Sequence, residues 1–316
     1  MIQSIKWDGK PITTPGIYSH MPLDDYHRGD ICDGPSVSSS GLRTIWAESP
    51  AHFWCTSPLN PDRVEREEKT HFNIGRAAHH VICGQAFFAA EYVIRPDQYE
   101  DEETGKLKPW HGSATACKRW MAAAAKDGKT VLTTEDAKAV ERMAVRLGEN
   151  EIIRAGLLNG WIERSIFWRD KETGLWLKAR PDAIPSDSGT FADLKTTTSV
   201  RYLKLIRTIA DYNYHMQGAM VLDGARALGL VATEFVLAFV EKDPPNCVRI
   251  VALRDDDLVR GHKQNRVAIR TLAHCLSSKT WPGPGDDRDD VEPIDLPERE
   301  REYIDKRLQL QLSENV

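Results

Sequence analysis

Between Trp161 and Thr198 apolar and polar residues alternate with a period of two, while on either side the period is that of helices. "WIERSIFWRD", "GLWLKARPDAI" and "GTFADLKT" read as three strands joined by the turn signals "DKETG" and "PSDSG". Connections this short make a meander of adjacent antiparallel strands. Helical patterns return over about 199–209 and 212–228, two more strands ("TEFVLAFVEK" and "CVRIVAL") flank a "DPPN" turn, and a long helix covers about 255–276. The order is helices, three strands, helices, two strands, helix. It predicts one α/β domain, a mixed central sheet flanked by helices with a helical N-terminal elaboration.

Upstream, residues 1–35 are rich in Gly, Pro, Asp and His and read as an irregular lead-in. The domain proper is expected over 36–284, followed by an acidic tail over 285–316 that carries one last helix near 297–311. "PSVSSSGLRTIWAESP" offers serines as N-caps ahead of Leu42, Ile45 and Trp46, a short helix stopped near Ser49-Pro50. From about Phe72 the spacing is that of a largely buried helix. Two amphipathic helices follow over about 113–126 and 134–148, the second opened by Thr133-Thr134 ahead of Glu135 and Asp136.

Several function classes are set aside by composition. No apolar run approaches the roughly 20 residues of a membrane span, and "MIQSIKWDGK" lacks the apolar stretch of a secretory signal. Six cysteines at 32, 55, 83, 117, 247 and 275 form no CxxC pair, against a zinc knuckle and against an iron–sulfur cluster. Reduced thiols and a cytoplasmic address are expected. Net charge is −5, but residues 286–316 hold 11 acids against 5 bases, which leaves residues 1–285 at +1. A local patch sets the field at a cleft, so the total does not argue against nucleic acid.

Strand alternation puts Asp193 and Lys195 of "FADLK" on one face and Leu194 on the other. Ten residues separate Asp182 of "RPDAI" from Asp193, and a hairpin of that length sets the two carboxylates side by side. Two converging carboxylates repel in a low-dielectric cleft, so a positive charge belongs between them. Lys195 could be that charge. A hard divalent cation suits two close carboxylates better, and Mg²⁺ takes one or two carboxylates with waters and substrate phosphate. Lys195 could then orient the attacking water and stabilise the charge of a phosphoryl transition state.

Pro181-Asp182, ten residues, then Asp193-Leu194-Lys195 resembles the PD-(D/E)XK nuclease signature. Three further pieces extend it. "GRAAHH" fits a Gly-xxx-His helix element at Gly75 and His79, Glu163 stands on the strand before Asp182, and "YNYHMQG" resembles the Tyr/Gln helix at Tyr214 and Gln217. With "SVSSSGLRTIWAESPAHFW" and "LAHCLSSKTWPG", the chain over roughly 36–284 looks like the exodeoxyribonuclease VIII group of phage and prophage nucleases. One departure is Val221, where many relatives carry a tyrosine four residues after the glutamine; Tyr214 is a candidate to present its hydroxyl on the same face.

The resemblance implies a restriction-endonuclease-like core that digests linear double-stranded DNA 5′ to 3′. It also implies two Mg²⁺ or Mn²⁺ ions, a ring-shaped homo-oligomer and a single-strand annealing recombinase as partner. By the same resemblance Asp182, Asp193, the Leu194 carbonyl and His79 bind metal. Lys195 acts on the water, Gln217 orients the lysine or a phosphate, and Glu163 supplies a further acid. Separately, the hydroxyls and free N–H groups of Ser38 and Ser40 at a helix start, with Arg43 one turn on, suit a terminal phosphate, though a plain N-cap explains the same serines.

Overall fold

The computed structural model of the chain describes residues 3–64, 77, 81, 88, 89, 91–162, 164–186, 188–286, 291 and 293–314. It divides into two compact units, Met1–Trp281 and Pro282–Val316.

The N-terminal stretch is more regular than its composition suggests. It carries strands β1 (Ile5–Lys6) and β2 (Gly16–Ser19), helix α1 (Leu23–His27) and strand β3 (Ser36–Ser38). The turn-forming residues "HMPLDDYHRGDICDGP" mask these short elements, whose order comes from tertiary pairing. Helix α2 (Ser39–Ala47) ends as expected. Pro50 then opens a second helix, α3 (Pro50–Thr56), because proline needs no N–H in a first turn and Ser49 caps it by accepting from the His52 N–H at 3.2 Å.

The middle of the unit holds β4 (Tyr92–Ile94), β5 (Gln98–Glu100), β6 (Leu107–Pro109), α4 (Thr115–Lys126), β7 (Thr130–Leu132), α5 (Thr134–Gly148) and α6 (Glu151–Arg154). Thr133 and Asp136 form a capping box that fixes where α5 begins.

The period-two region gives β8 (Trp161–Ile162), β9 (Ser165–Arg169), β10 (Trp176–Ala179), β11 (Ala183–Ile184) and β12 (Thr190–Thr197). Here the sequence expectation needs correction. "GLWLKARPDAI" is not one strand. Proline cannot donate to a ladder, so the strand stops ahead of Pro181. β10 belongs to a five-stranded sheet in the order β1-β2-β9-β10-β3. β11 enters a second sheet that is completed by β13 (Glu234–Glu241) and β14 (Val248–Ala252) and ordered β14-β13-β12-β11-β8. Asp182 falls at the break between the two sheets.

In the second sheet β12 pairs antiparallel with β11 and parallel with β13, the parallel pairing running from Thr190–Glu234 to Thr197–Glu241. A parallel neighbour requires a crossover. The crossover consists of α7 (Tyr202–Asp211) and α8 (Tyr214–Ala227), with α9 (Asp255–Ser278) packed against α8. One face of β12 and β13 meets these helices through Phe191, Phe235, Phe239, Met216 and Met220. The opposite face packs Leu194, Ala238 and Val240 against Leu132, Met143 and Leu147. The central strand is therefore covered on both sides, and its polar residues are held in a packed frame. The second unit holds α10 (Glu298–Glu314). Among the described residues no helix is long and apolar enough to cross a membrane.

Candidate active site

Strand β12 carries the centre of the site. Asp193 is 3% exposed, and Lys195 on the same face ion-pairs with its Oδ2. Leu194 turns to the other face, into the cluster around Leu132 and Met143. Ala183 pairs with Ala192, so one further step along the hairpin brings Asp182 across from Asp193. The Asp182 Oδ2 accepts a hydrogen bond from the Leu194 N–H at 2.6 Å. The N–H and C=O of one strand residue leave by the same edge, so the Leu194 carbonyl also faces the Asp182 side.

Helix α8 closes the site from above. Gln217 Nε2 donates to Asp193 Oδ1 at 2.7 Å. The helix can lie this close because of two glycines facing the strands. A Cβ on Gly218 would stand 2.7 Å from the Phe235 ring, and one on Gly224 would stand 2.5 Å from the Trp168 ring. At the start of α8, after Asn213 in a left-handed conformation (φ 51°), the Tyr214 ring lies 5.1 Å from Lys195 Nζ and 5.9 Å from the Arg43 guanidinium carbon. Arg43 is tied down by donating to the Tyr212 carbonyl at 2.7 Å.

Electrostatics follow from this packing. Burial disfavours the Lys195 ammonium, but the Asp193 and Asp182 carboxylates more than reverse that, so its pKa lies above the ordinary lysine value. Burial lowers the Arg43 pKa despite the opposing pull of Tyr214 and Asp193, and burial raises that of Tyr214.

The structure thus brings together Asp182, Asp193, Leu194, Lys195, Tyr214 and Gln217, and it adds Arg43 to the same cluster. Sequence reading gave Arg43 to an end phosphate. Its contact with Tyr212, 169 positions away, leaves no local signal. Tyr214 meets both cations with its ring face. Val221 is buried in the main core, where a tyrosine hydroxyl would find no water. Ser38 and Ser40 lie at the start of α2 with their hydroxyls 2.8 Å apart, and Ser38 makes no capping bond with its side chain. Gly75, His79 and Glu163 lie outside the described residues.

The donor set suits a hard divalent cation. Asp182 and Asp193 are oxygen donors from neighbouring strands, and among the described residues Asp193 Oδ2 is buried with no hydrogen bond beyond its ion pair with Lys195. Among the described residues no group of three His, Cys, Asp or Glu side chains gathers, so the carboxylate pair would be completed by the Leu194 carbonyl and by waters.

A family model described as a PDDEXK-like domain of unknown function (DUF3799) matches residues 38–289. No curated protein matches the chain. A candidate exonuclease from Eubacterium rectale, 16% identical, superimposes with a TM-score of 0.53 over 82% of this chain and 90% of that one. A phage related exonuclease from Haemophilus somnus 129PT, 15% identical, gives 0.31 over 65% of this chain and 95% of its own. At such identity the first likeness shows the fold alone. Family and site together support a nuclease. The model spans the central sheet, both crossover helices and every described site residue, so the chain belongs to the PDDEXK-like family DUF3799.

Proposed function

We propose that the protein is a metal-dependent exodeoxyribonuclease that degrades linear double-stranded DNA, 5′ to 3′, and leaves 3′ single-stranded tails for recombination. The observation that carries this reading is the single constellation of Asp182, Asp193, Lys195 and Gln217 at the junction of two sheets. Two carboxylates, a half-buried ammonium and an amide in that arrangement match phosphodiester hydrolysis better than a structural ion pair. A structural pair would not need a second carboxylate at the same edge.

Asp182, Asp193 and the Leu194 carbonyl would hold Mg²⁺ or Mn²⁺, two ions in all with His79 as a further ligand. Bound there, the ions would supply Lewis-acid stabilisation of charge building on the phosphoryl oxygens. The chain's own groups do the rest. Lys195, a fixed positive charge beside Asp193, orients the attacking water and offsets the extra negative charge of the transition state. Gln217 fixes one oxygen of Asp193, leaving the other to face the reacting centre. Tyr214 packs under the lysine and holds its ammonium in place. Glu163 would add an acid beside this group. Ser38 and Ser40 at the start of α2 receive the phosphate at a duplex end, with Arg43 adding charge nearby. Contacts of this kind go to the backbone and carry no sequence preference. A ring of copies around the duplex, an annealing recombinase as recipient of the tail, and a cytoplasmic site of action complete the reading.

The test uses linear and covalently closed duplex with Mg²⁺, with EDTA, and with Lys195→Ala. Loss of linear DNA alone, abolished by EDTA and by the substitution, is the expected result, and end-labelled duplex then gives polarity. Nicking of closed circles would replace the exonuclease by an endonuclease, and retention of DNA without digestion would replace both by a binding protein.

A further inference from the structure

A cavity of about 830 Å³ opens between the α1 segment, β3, the start of α2 and the chain after α3. At its base lies Lys178 of β10, only 3% exposed. The ammonium donates to the Tyr26 carbonyl at 2.7 Å, makes one long contact with the Arg28 carbonyl at 3.5 Å, and sits 5.1 Å from the Tyr26 ring centroid. Among the described residues no carboxylate reaches it. Asp24 and Asp30 line the same cavity, but Asp30 is paired with Arg28.

This is an unusual arrangement for a structural lysine. Taking an ammonium out of water costs several kcal/mol, and buried charges are ordinarily paired. Carbonyl dipoles and a ring face meet the cation only in part. Burial pulls the Lys178 pKa down to about 8. The lining around it is suited to an oxyanion. Ser36 Oγ is buried there without a nitrogen or oxygen partner, Ser38 and Ser40 bring hydroxyls, and Arg63 adds a second cation at the rim. The volume falls in the range of small-molecule sites and accepts a nucleotide.

We propose that this cavity is a phosphate-binding subsite in which Lys178 is the buried counter-charge for the phosphate of a nucleotide unit. The phosphate is carried either by a DNA strand or by the mononucleotide released from it. The inference rests on the nuclease reading for what carries the phosphate, and the cavity shares Ser38 and Ser40 with the end contacts of that reading; Lys178, which no carboxylate of the described residues reaches, is the new element.

The experiment is binding in EDTA, so that cleavage plays no part. Wild-type protein, Lys178→Met and Arg63→Glu are titrated calorimetrically with thymidine monophosphate and with a short 5′-phosphorylated blunt duplex. Both cavity variants should lose at least tenfold in affinity. Lys178→Met should also melt at a higher temperature than wild type without ligand, since the uncompensated charge is gone. Loss for the monophosphate identifies a free nucleotide as occupant, whereas loss confined to the duplex identifies a strand phosphate. Equal affinities across wild type, Lys178→Met and Arg63→Glu, or no binding of either ligand to wild type, would overturn the proposal. If Lys178→Met does not fold, Arg63→Glu decides alone. Failure of the nuclease reading would appear separately, as intact linear DNA in the presence of Mg²⁺.

Discussion

Gln217 Nε2 on helix α8 donates to Asp193 Oδ1 on strand β12 at 2.7 Å, across 24 positions of sequence. This bond fixes the carboxylate that Lys195 pairs with on its other oxygen. Groups that orient a metal-binding carboxylate typically matter by about 10–100-fold. Gln217→Ala should lower the rate of linear-duplex digestion by about that factor, with kcat falling more than KM rises. Asp193→Ala should abolish digestion by several orders of magnitude while DNA binding in EDTA is retained. Digestion by Asp193→Ala at wild-type rate would remove the site from this strand.

Asp182 has two separable duties. Its Oδ2 satisfies the Leu194 N–H, and its charge faces the site. Asp182→Asn keeps an acceptor and loses the charge, so it should fold with nearly wild-type stability yet lose cleavage. Asp182→Ala leaves the N–H unpaired and should cost a further ~1–3 kcal/mol in denaturant unfolding. Equal stability of the two variants would contradict the structural half of this assignment.

Asp170, at the β9–β10 turn, anchors α9 through Arg266, and Glu172 bridges Arg266 and Arg270. Burial alone would raise the Asp170 pKa; the Arg266 guanidinium and the Thr173 donors outweigh it and hold the carboxyl below the usual carboxylate range. A depressed carboxylate stabilises the fold above its unfolded value near pH 4, and the contribution is lost as pH falls through the folded value. The stability gap between wild type and Asp170→Asn should therefore be flat from neutral pH to about pH 5 and shrink below about pH 4. A gap unchanged down to pH 2.5 would contradict the ion pair.

Gly218 sets how near α8 lies to the sheet. Gly218→Val would press on the Phe235 ring and should destabilise by about 1–3 kcal/mol. The same shift moves Gln217, its chain neighbour, away from Asp193. Loss of activity in folded Gly218→Val, measured below its melting temperature, is the expected result.

Much of this was legible in the chain itself. Period-two alternation placed Asp193 and Lys195 on one face of a strand, and that follows from backbone geometry without any tertiary information. The ten-residue spacing set Asp182 beside Asp193 for the same local reason. The helices over 115–126, 134–148, 214–227 and 255–278 were visible because their apolar faces repeat with the helical period.

The tertiary structure decided the rest. Pro181 signals a broken ladder, but only the pairing of β10 with β3 and of β11 with β12 shows that the two halves enter different sheets. The place of Arg43 under Tyr214, the reach of Gln217 to Asp193, and the burial of Lys178 all join segments distant in sequence. Such contacts depend on how whole elements pack, and local residue patterns encode which face an element buries without encoding what it meets there.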